Sequence, residues 1–360
     1  MTQRFAVIGL DHRHVYELTQ HLIDAGMDCA GWWPVTTNPH VLEGFRKRFP
    51  HLPEVVERER LMDDPTIQLI VTAAIPNTRA ALAIEAMRRG KDVLADKPGI
   101  TTRADLAAVQ ATVAETGRKF AVVFGERFQS PASARARELV REGAIGRLVS
   151  TTSMAPHRMN RATRPDWFWD ARTNGSILVD IGCHAIDAFL HMTGREDAEI
   201  VHAAIRSVAP ERTPVADFPA PAFQAPPFQA PPFQDWGEMI LRNDVASGTM
   251  QMHWFTPDGL ADWGDGRAFF TGTEGYIELR KNLDLAGRPG GQHLFLVTNT
   301  KTEHIACAGL PVGTFRAFAD DLRDRTETAM TQSHCFAVCR LALAAEEWAL
   351  AAEERALAAR

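Results

Sequence analysis

Asp92-Val93-Leu94-Ala95-Asp96-Lys97-Pro98 is the stretch on which the fold turns. A short apolar run ends in an acid and a lysine, and proline then biases the preceding residue away from helix. In a chain with few lysines, this one stands at the carboxyl end of a strand, where α/β proteins bind ligands. Working outward, residues 78–89 have helical spacing closed by Gly90, and residues 67–74 form a continuous apolar strand suited to burial on both faces. On the other side, Thr102-Arg103-Ala104-Asp105 resembles a capping box opening a helix to Glu115, and residues 119–124 read as another strand. Towards the N-terminus come a strand at 4–9, a helix at 14–25 closed by Gly26, a strand at 28–33 and a helix at 41–49. Strands alternating with helices of this length predict an α/β fold, a Rossmann-type doubly wound parallel sheet over residues 1–126.

Residues 127–360 read differently. Helices are expected at 131–142, 182–192, 314–323 and from about 333, with strands at 147–154, 199–208, 238–242, 248–255, 268–271 and 275–279. Asn243-Asp244 and Thr273-Glu274-Gly275 mark hairpin-like turns. This predicts an α+β domain built on a mainly antiparallel open sheet. A Pro/Phe/Gln insertion at 218–235 contains three tandem pentapeptides, PAFQA-PPFQA-PPFQD. In polyproline II geometry Phe223, Phe228 and Phe233 would stand roughly 15 Å apart. One reading is a repeat-expanded surface loop; the other is an arm packed on a partner subunit or on the second domain's sheet.

Composition narrows the class. The 360 residues carry a formal charge of −6, and 45% are hydrophobic. Arg158, Arg161 and Arg164 form a small basic cluster but no basic stripe, so no nucleic-acid partner is expected. No apolar run approaches membrane-spanning length and no signal-peptide pattern opens the chain. Five cysteines without a CxxC pair suit buried thiols in a reducing, cytoplasmic setting.

The chemistry gathers in two segments. Asp180-Ile181-Gly182-Cys183-His184-Ala185-Ile186-Asp187 spaces its acids and imidazole at i, i+4 and i+7, which on one helix share a face. With Lys97 they offer proton-transfer machinery: Lys97 at a strand end can polarise or deprotonate a substrate hydroxyl, and the arrangement expected is His184 as base, Asp180 orienting it, and Lys97 stabilising the oxyanion. The alternatives are a metal-dependent hydrolase or isomerase using His12, His14, Asp180 and His184, or a non-catalytic ligand sensor whose cofactor turn has decayed. Gly9-Leu10-Asp11-His12-Arg13-His14 occupies the first strand-to-helix turn, where a dinucleotide pyrophosphate would rest. It reads G-x-D-x-x-H in place of G-x-G-x-x-G, and Asp11 serves equally as a helix N-cap. Residues 31–37 hold no acid for a ribose but include Thr36. Ala74-Ile75-Pro76-Asn77 would border the nicotinamide. Trp167, Trp169 and Asp170 are candidates for sugar contacts, since aromatic faces suit sugar C–H surfaces and carboxylates bind hydroxyls.

In order, the strand–turn opening, I-P-N, D-K-P, Arg127-Phe128, N-G-S-I-L-V-D-I-G-C-H-A-I-D and Gly272-Thr273-Glu274-Gly275 resemble the Gfo/Idh/MocA oxidoreductases over essentially the whole chain. The resemblance implies a Rossmann domain binding NAD or NADP and an open-faced α+β domain for substrate contacts and oligomerisation. It places the family's E-K-P lysine on Lys97, its substrate-binding aspartate on Asp180 and its catalytic histidine on His184. It puts the cofactor along residues 9–12, Thr36, residues 74–77, Asp96, Lys97 and Arg127. Departures fall on the cofactor side: the glycine turn, the missing ribose acid, and Arg79 where the family has histidine. The expected protein is thus an NAD(P)-dependent sugar, cyclitol or polyol dehydrogenase, a homo-dimer or -tetramer without a catalytic metal. NADPH is expected to bind at least as well as NADH, because residues 31–37 hold no carboxylate to repel a 2′-phosphate.

Overall fold

The computed structural model describes residues 2–210 and 233–358. The first part lays down β1 (Arg4–Leu10), α1 (Val15–Asp24), β2 (Asp28–Trp32), α2 (Pro39–Arg48), α3 (Arg58–Met62), β3 (Leu69–Ala73), α4 (Arg79–Arg88), β4 (Asp92–Ala95), α5 (Arg103–Thr116) and β5 (Phe120–Val122). The strands form a parallel sheet in the order β2-β1-β3-β4-β5. Every residue of β3 and β4 is buried, as expected of strands covered by helices on both faces. The chain leaves β1 on one side for β2 and on the other for β3, so a crevice opens between the carboxyl ends of β1 and β3. Gly9 makes this junction possible. At φ +95°, an added Cβ would sit 2.6 Å from Ala74 Cβ and 2.8 Å from Thr72 Oγ1. Thr102 caps α5 as expected: its Oγ1 accepts from the Asp105 N–H at 3.0 Å and donates to Asp105 Oδ2 at 2.8 Å.

The second part continues with α6 (Gly125–Gln129), α7 (Pro131–Arg141), β6 (Leu148–Pro156), α8 (Ala171–Asn174), α9 (Ile177–Asp180) and α10 (Gly182–Thr193). It ends with β7 (Glu199–Arg206), β8 (Trp236–Arg242), β9 (Ser247–His253), β10 (Arg267–Gly272), β11 (Gly275–Arg280), β12 (His293–Thr298), β13 (Thr302–Ala306), α11 (Thr314–Asp324) and α12 (Gln332–Ala358). The eight-stranded sheet runs β13-β12-β11-β10-β6-β9-β8-β7 and is antiparallel except where β6 pairs in parallel with β9. Gly272 allows β10 to pass against the Ile145 carbonyl, which any Cβ would strike.

Four features bear on these expectations. First, β12 and β13 were not foreseen; β13 is a sheet edge, where Thr302, Glu303 and His304 need no alternation of apolar residues. Second, Asp180 closes α9, and Ile181 (φ −98°, ψ −40°) separates it from α10, so Asp180, His184 and Asp187 do not share one helical face. Third, a cut at residue 126 leaves part of the first unit's cover behind. Phe315, Phe318 and Leu322 of α11 are buried in one core with Phe5, Val7 and Leu18. Gln332 of α12 also bonds the Phe120 N–H (2.9 Å) and C=O (2.7 Å). Fourth, Phe233 packs inside its own chain, its ring 5.2 Å from Phe168 and 5.1 Å from Trp169. Phe223 and Phe228 lie outside the described residues.

Candidate active site

Lys97 stands just past β4, and its Nζ lies 2.7 Å from Asp180 Oδ1. Both side chains are largely enclosed, at 8% and 14% exposure. The sheet delivers the lysine, and a helix capped by Ser176, whose Oγ accepts from the Val179 N–H at 3.3 Å, delivers the acid. In the first turn of α10, His184 Nδ1 accepts the N–H of Gly125 at 2.9 Å. An N–H can only donate, so the neutral ring carries its proton on Nε2. Burial first, then the charges of Lys97 and Lys281, hold His184 well below the usual imidazole range.

Asp187 is elsewhere. Its Oδ1 accepts from Arg127 Nε at 2.9 Å and pairs with His334 Nε2 at 2.7 Å, a buried knot joining α6, α10 and α12. Burial opposes its ionisation, but Arg127 and His334 outweigh that and keep the carboxyl below its usual range.

Beside Lys97, the Asp96 carboxylate takes His12 Nδ1 on Oδ2 and His14 Nδ1 on Oδ1, each at 2.9 Å. Arg79, 1% exposed, donates to the carbonyls of Ala74 (2.7 Å), Asp96 (2.8 Å) and Pro98 (2.9 Å), and its Nη2 reaches Asp96 Oδ2 at 3.3 Å. It ties the ends of β3 and β4 together and fixes where Lys97 emerges. Burial works against the Asp96 charge, yet His14, Arg79 and the two imidazole hydrogen bonds hold its pKa well down. Three potential metal-ligand atoms of His12, His14 and Asp96 lie within 4.8 Å of one another. The four-residue set His12, His14, Asp180 and His184 is not assembled: Asp180 is engaged by Lys97 and His184 by Gly125.

These groups open into one cleft of about 770 Å³ between the parallel sheet and the face of β6, β10 and β11. Trp167, Trp254 and Trp263 line it, and Trp167 sits 6.3 Å from the His12 ring.

Two family models match consecutive parts of the chain. One, described as an oxidoreductase family with an NAD-binding Rossmann fold, covers residues 4–124; the other, the GFO/IDH/MocA C-terminal domain, covers residues 133–278. The chain belongs to the GFO/IDH/MocA family. A crystal structure of an Erwinia carotovora atroseptica protein assigned to the oxidoreductases is 41% identical, with a TM-score of 0.86 over 97% of this chain and 99% of the other. Levoglucosan dehydrogenase of Pseudarthrobacter phenanthrenivorans is 29% identical over 178 residues, 49% of this chain and 45% of that protein. The scyllo-inositol 2-dehydrogenase (NADP(+)) of Bacillus subtilis is 24% identical over 156 residues, 43% of each chain. The chain therefore matches less than half the length of these curated relatives.

The family implies a nicotinamide dinucleotide, and this member's residues fit one. Asp11 turns away from the helix that would face phosphate: its Oδ1 accepts from Thr36 Oγ1 (2.9 Å), Thr37 N–H (2.6 Å) and Thr37 Oγ1 (2.7 Å). It is thus not the N-cap of α1, whose cap is His14. Arg13 lines the cleft just before α1 and is in no ion pair among the described residues, so a cation stands beside the turn that lacks its glycines. Trp167 Nε1 is buried in the wall without a hydrogen-bond partner. A dinucleotide would be held by Arg13, the N-terminus of α1, Pro76 and the Trp167 indole.

Among the expected cofactor residues, His12, Pro76, Asp96 and Lys97 line the cleft, while Gly9, Leu10, Asp11, Thr36, Ala74, Ile75 and Asn77 do not. Arg127 does not line the cleft either, and its guanidinium is engaged by Asp187 and His334. Of the sugar-contact candidates Trp167 lines the cleft, whereas Trp169 is buried against Phe168 and Phe233, and Asp170 caps α8 and pairs with Arg172. The sequence reading missed His157, Arg164, Trp254 and Lys281 as cleft residues. Arg164 alone left a trace there, as part of the basic cluster.

Proposed function

We propose that this chain is a nicotinamide-dependent oxidoreductase acting on a hydroxyl or keto group of a sugar, cyclitol or related polyol. The observation that carries the reading is the Lys97–Asp180 pair at 2.7 Å, sharing a cleft with the His184 N–H donor. When bound, the nicotinamide supplies the hydride acceptor, or in reverse the donor, that the chain itself lacks. The chain's own residues move the proton. In the oxidising direction Lys97 Nζ passes its own proton to Asp180, 2.7 Å away, and takes the proton of the substrate hydroxyl; in the reducing direction the same transfers run in reverse and Lys97 delivers the proton to the carbonyl oxygen. His184, its Nδ1 occupied by Gly125, has no free lone pair for the substrate proton; Nε2–H steadies the charge that develops on oxygen. This exchanges the roles expected from sequence for the same two residues.

For the cofactor we favour NAD. The expectation for NADPH rested on finding no acid after β2, and Asp11 brings a carboxylate to that turn from the end of β1. Fluorescence titration with NADH and NADPH, followed by a polyol panel, tests the reading. Lys97→Ala should lower turnover by about 10²–10⁴-fold with NADH affinity little changed. Binding of neither dinucleotide would overturn it.

A further inference from the structure

We propose that Arg164 is the anchor for a carboxylate on the substrate, so that the compound taken is an acidic sugar, a uronic or aldonic acid; this rests on the oxidoreductase reading above. Arg164 follows the short turn Arg161–Thr163 and lines the cleft. Its guanidinium carbon lies 4.3 Å from the Phe168 ring centroid and 4.8 Å from that of Trp254. Nε donates to the Met159 carbonyl at 2.8 Å and Nη2 to the Arg158 carbonyl at 3.4 Å. Nη1 makes no hydrogen bond within the described residues, and no acid among them pairs with this guanidinium.

The contrast with its neighbours gives this weight. Around the cleft, Lys281 is matched by Glu126 at 2.6 Å and Arg267 by Asp265 at 2.8 Å, and across it Lys97 is matched by Asp180 at 2.7 Å. Arg158 spends Nη2 on the Pro257 and Leu260 carbonyls and faces Asp258 at 3.6 Å. Only Arg164, among the described residues of this wall, holds a largely enclosed charge without a counter-charge. Enclosing such a charge is costly unless something pairs with it. Burial lowers its pKa to about 10, with Asp180 acting in the opposite sense, so it stays cationic at neutral pH.

The surroundings favour a carboxylate over a phosphate. Two aromatic rings confine the guanidinium, leaving a planar fork that matches a planar carboxylate. A doubly charged phosphate would call for a second free cation; Lys281, Arg267 and Lys97 are matched, and Arg13, the remaining cation that acts on this guanidinium, is the one that would hold the dinucleotide. Beside it, His157 Nδ1 donates to the Ala155 carbonyl at 3.0 Å, leaving Nε2 as a hydroxyl acceptor. The His157 ring lies 5.2 Å from Trp254, the ring that also flanks Arg164. The wall thus offers one anion anchor, one hydroxyl acceptor and aromatic faces.

The test reads binding without turnover, so it stays informative even if the hydride-transfer reading fails. Tryptophan fluorescence of the full chain is titrated with D-glucuronate, D-galacturonate and D-gluconate, with the neutral counterparts D-glucose and D-galactose, and with D-glucose 6-phosphate. At least one acid should bind tenfold or more tightly than its neutral counterpart and more tightly than the phosphate. Arg164→Gln should weaken binding of the acid tenfold or more and bring it to the level of its neutral counterpart, and Arg164→Lys should retain part of the preference. Circular dichroism monitors folding of both variants. No preference for any acid, a preference for the phosphate, or equal loss of acid and neutral sugar in a folded Arg164→Gln would each overturn the assignment.

Discussion

The Gly125 N–H points at Nδ1 of His184 across 2.9 Å and so decides which nitrogen of that ring can act on a substrate. Gly125 opens α6, so the donor is also the positive end of a short helix. Removing a donor that stabilises a developing oxyanion costs about 10²–10³ in turnover. His184→Ala should show a loss of that size. His184→Gln offers an amide N–H near the Nε2 position and should recover at least roughly tenfold of it. A general base could not be replaced in this way, so equal turnover for the two variants would refute the donor role.

Asp11 sets the second prediction. Its carboxylate faces the Thr36–Thr37 turn, the region where a dinucleotide's adenosine ribose is read. Charges a few ångströms apart near a protein surface interact by about 4 kcal/mol at an effective dielectric of 20, less where water screens them. NADH should therefore bind at least roughly tenfold more tightly than NADPH. Asp11→Asn should narrow the gap, chiefly by improving NADPH. Fluorescence titration decides, and a wild-type preference for NADPH would remove Asp11 from this role.

The reach and the limits of the sequence have physical reasons. β3 and β4 were legible because strands buried on both faces are apolar throughout, and Lys97 because it interrupts such a run. Asp180 and His184 came from motif order, which carries identity but not hydrogen-bond direction; the Gly125 contact joins residues 59 apart. The Asp11 carboxylate beside Thr36 and Thr37 is not legible along β2, because it reaches that turn from the end of β1. Arg164 and His157 were invisible as site residues because only the sheet packing brings them to Lys97 and Asp180. Trp169 looked like Trp167 in sequence, and alternate sides of one short turn gave them opposite fates.

Buried neutral histidine should make the fold acid-sensitive. Burial lowers His157 to about 3, whereas an unfolded histidine titrates near 6.5. Between these values the unfolded chain binds a proton that the folded one does not, so stability falls as pH drops from about 6.5 towards 3. Above 6.5 neither state binds it and the effect vanishes. The variant His157→Gln, which cannot titrate, should lose less melting temperature than the parent between pH 6.5 and 4. Many carboxylates also titrate there, so the measurement is the difference between the two proteins. Parallel curves would show that His157 is not a buried neutral base.

Phe233 gives the last test. It is 8% exposed and packs against Phe168 and Trp169, the turn that presents Trp167 and Arg164 to the cleft. Truncating a fully buried phenylalanine costs about 3–5 kcal/mol, and partial collapse of the aromatic cluster should bring this nearer 2–4 kcal/mol. Phe233→Ala should therefore lower the melting temperature by several degrees. It should also weaken sugar-acid binding, because Arg164 stacks on the same Phe168 ring that Phe233 supports. Phe233→Leu fills most of the space and should restore stability in large part. An unchanged melting temperature in Phe233→Ala would mean that the end of the Pro/Phe/Gln repeat does not brace the site.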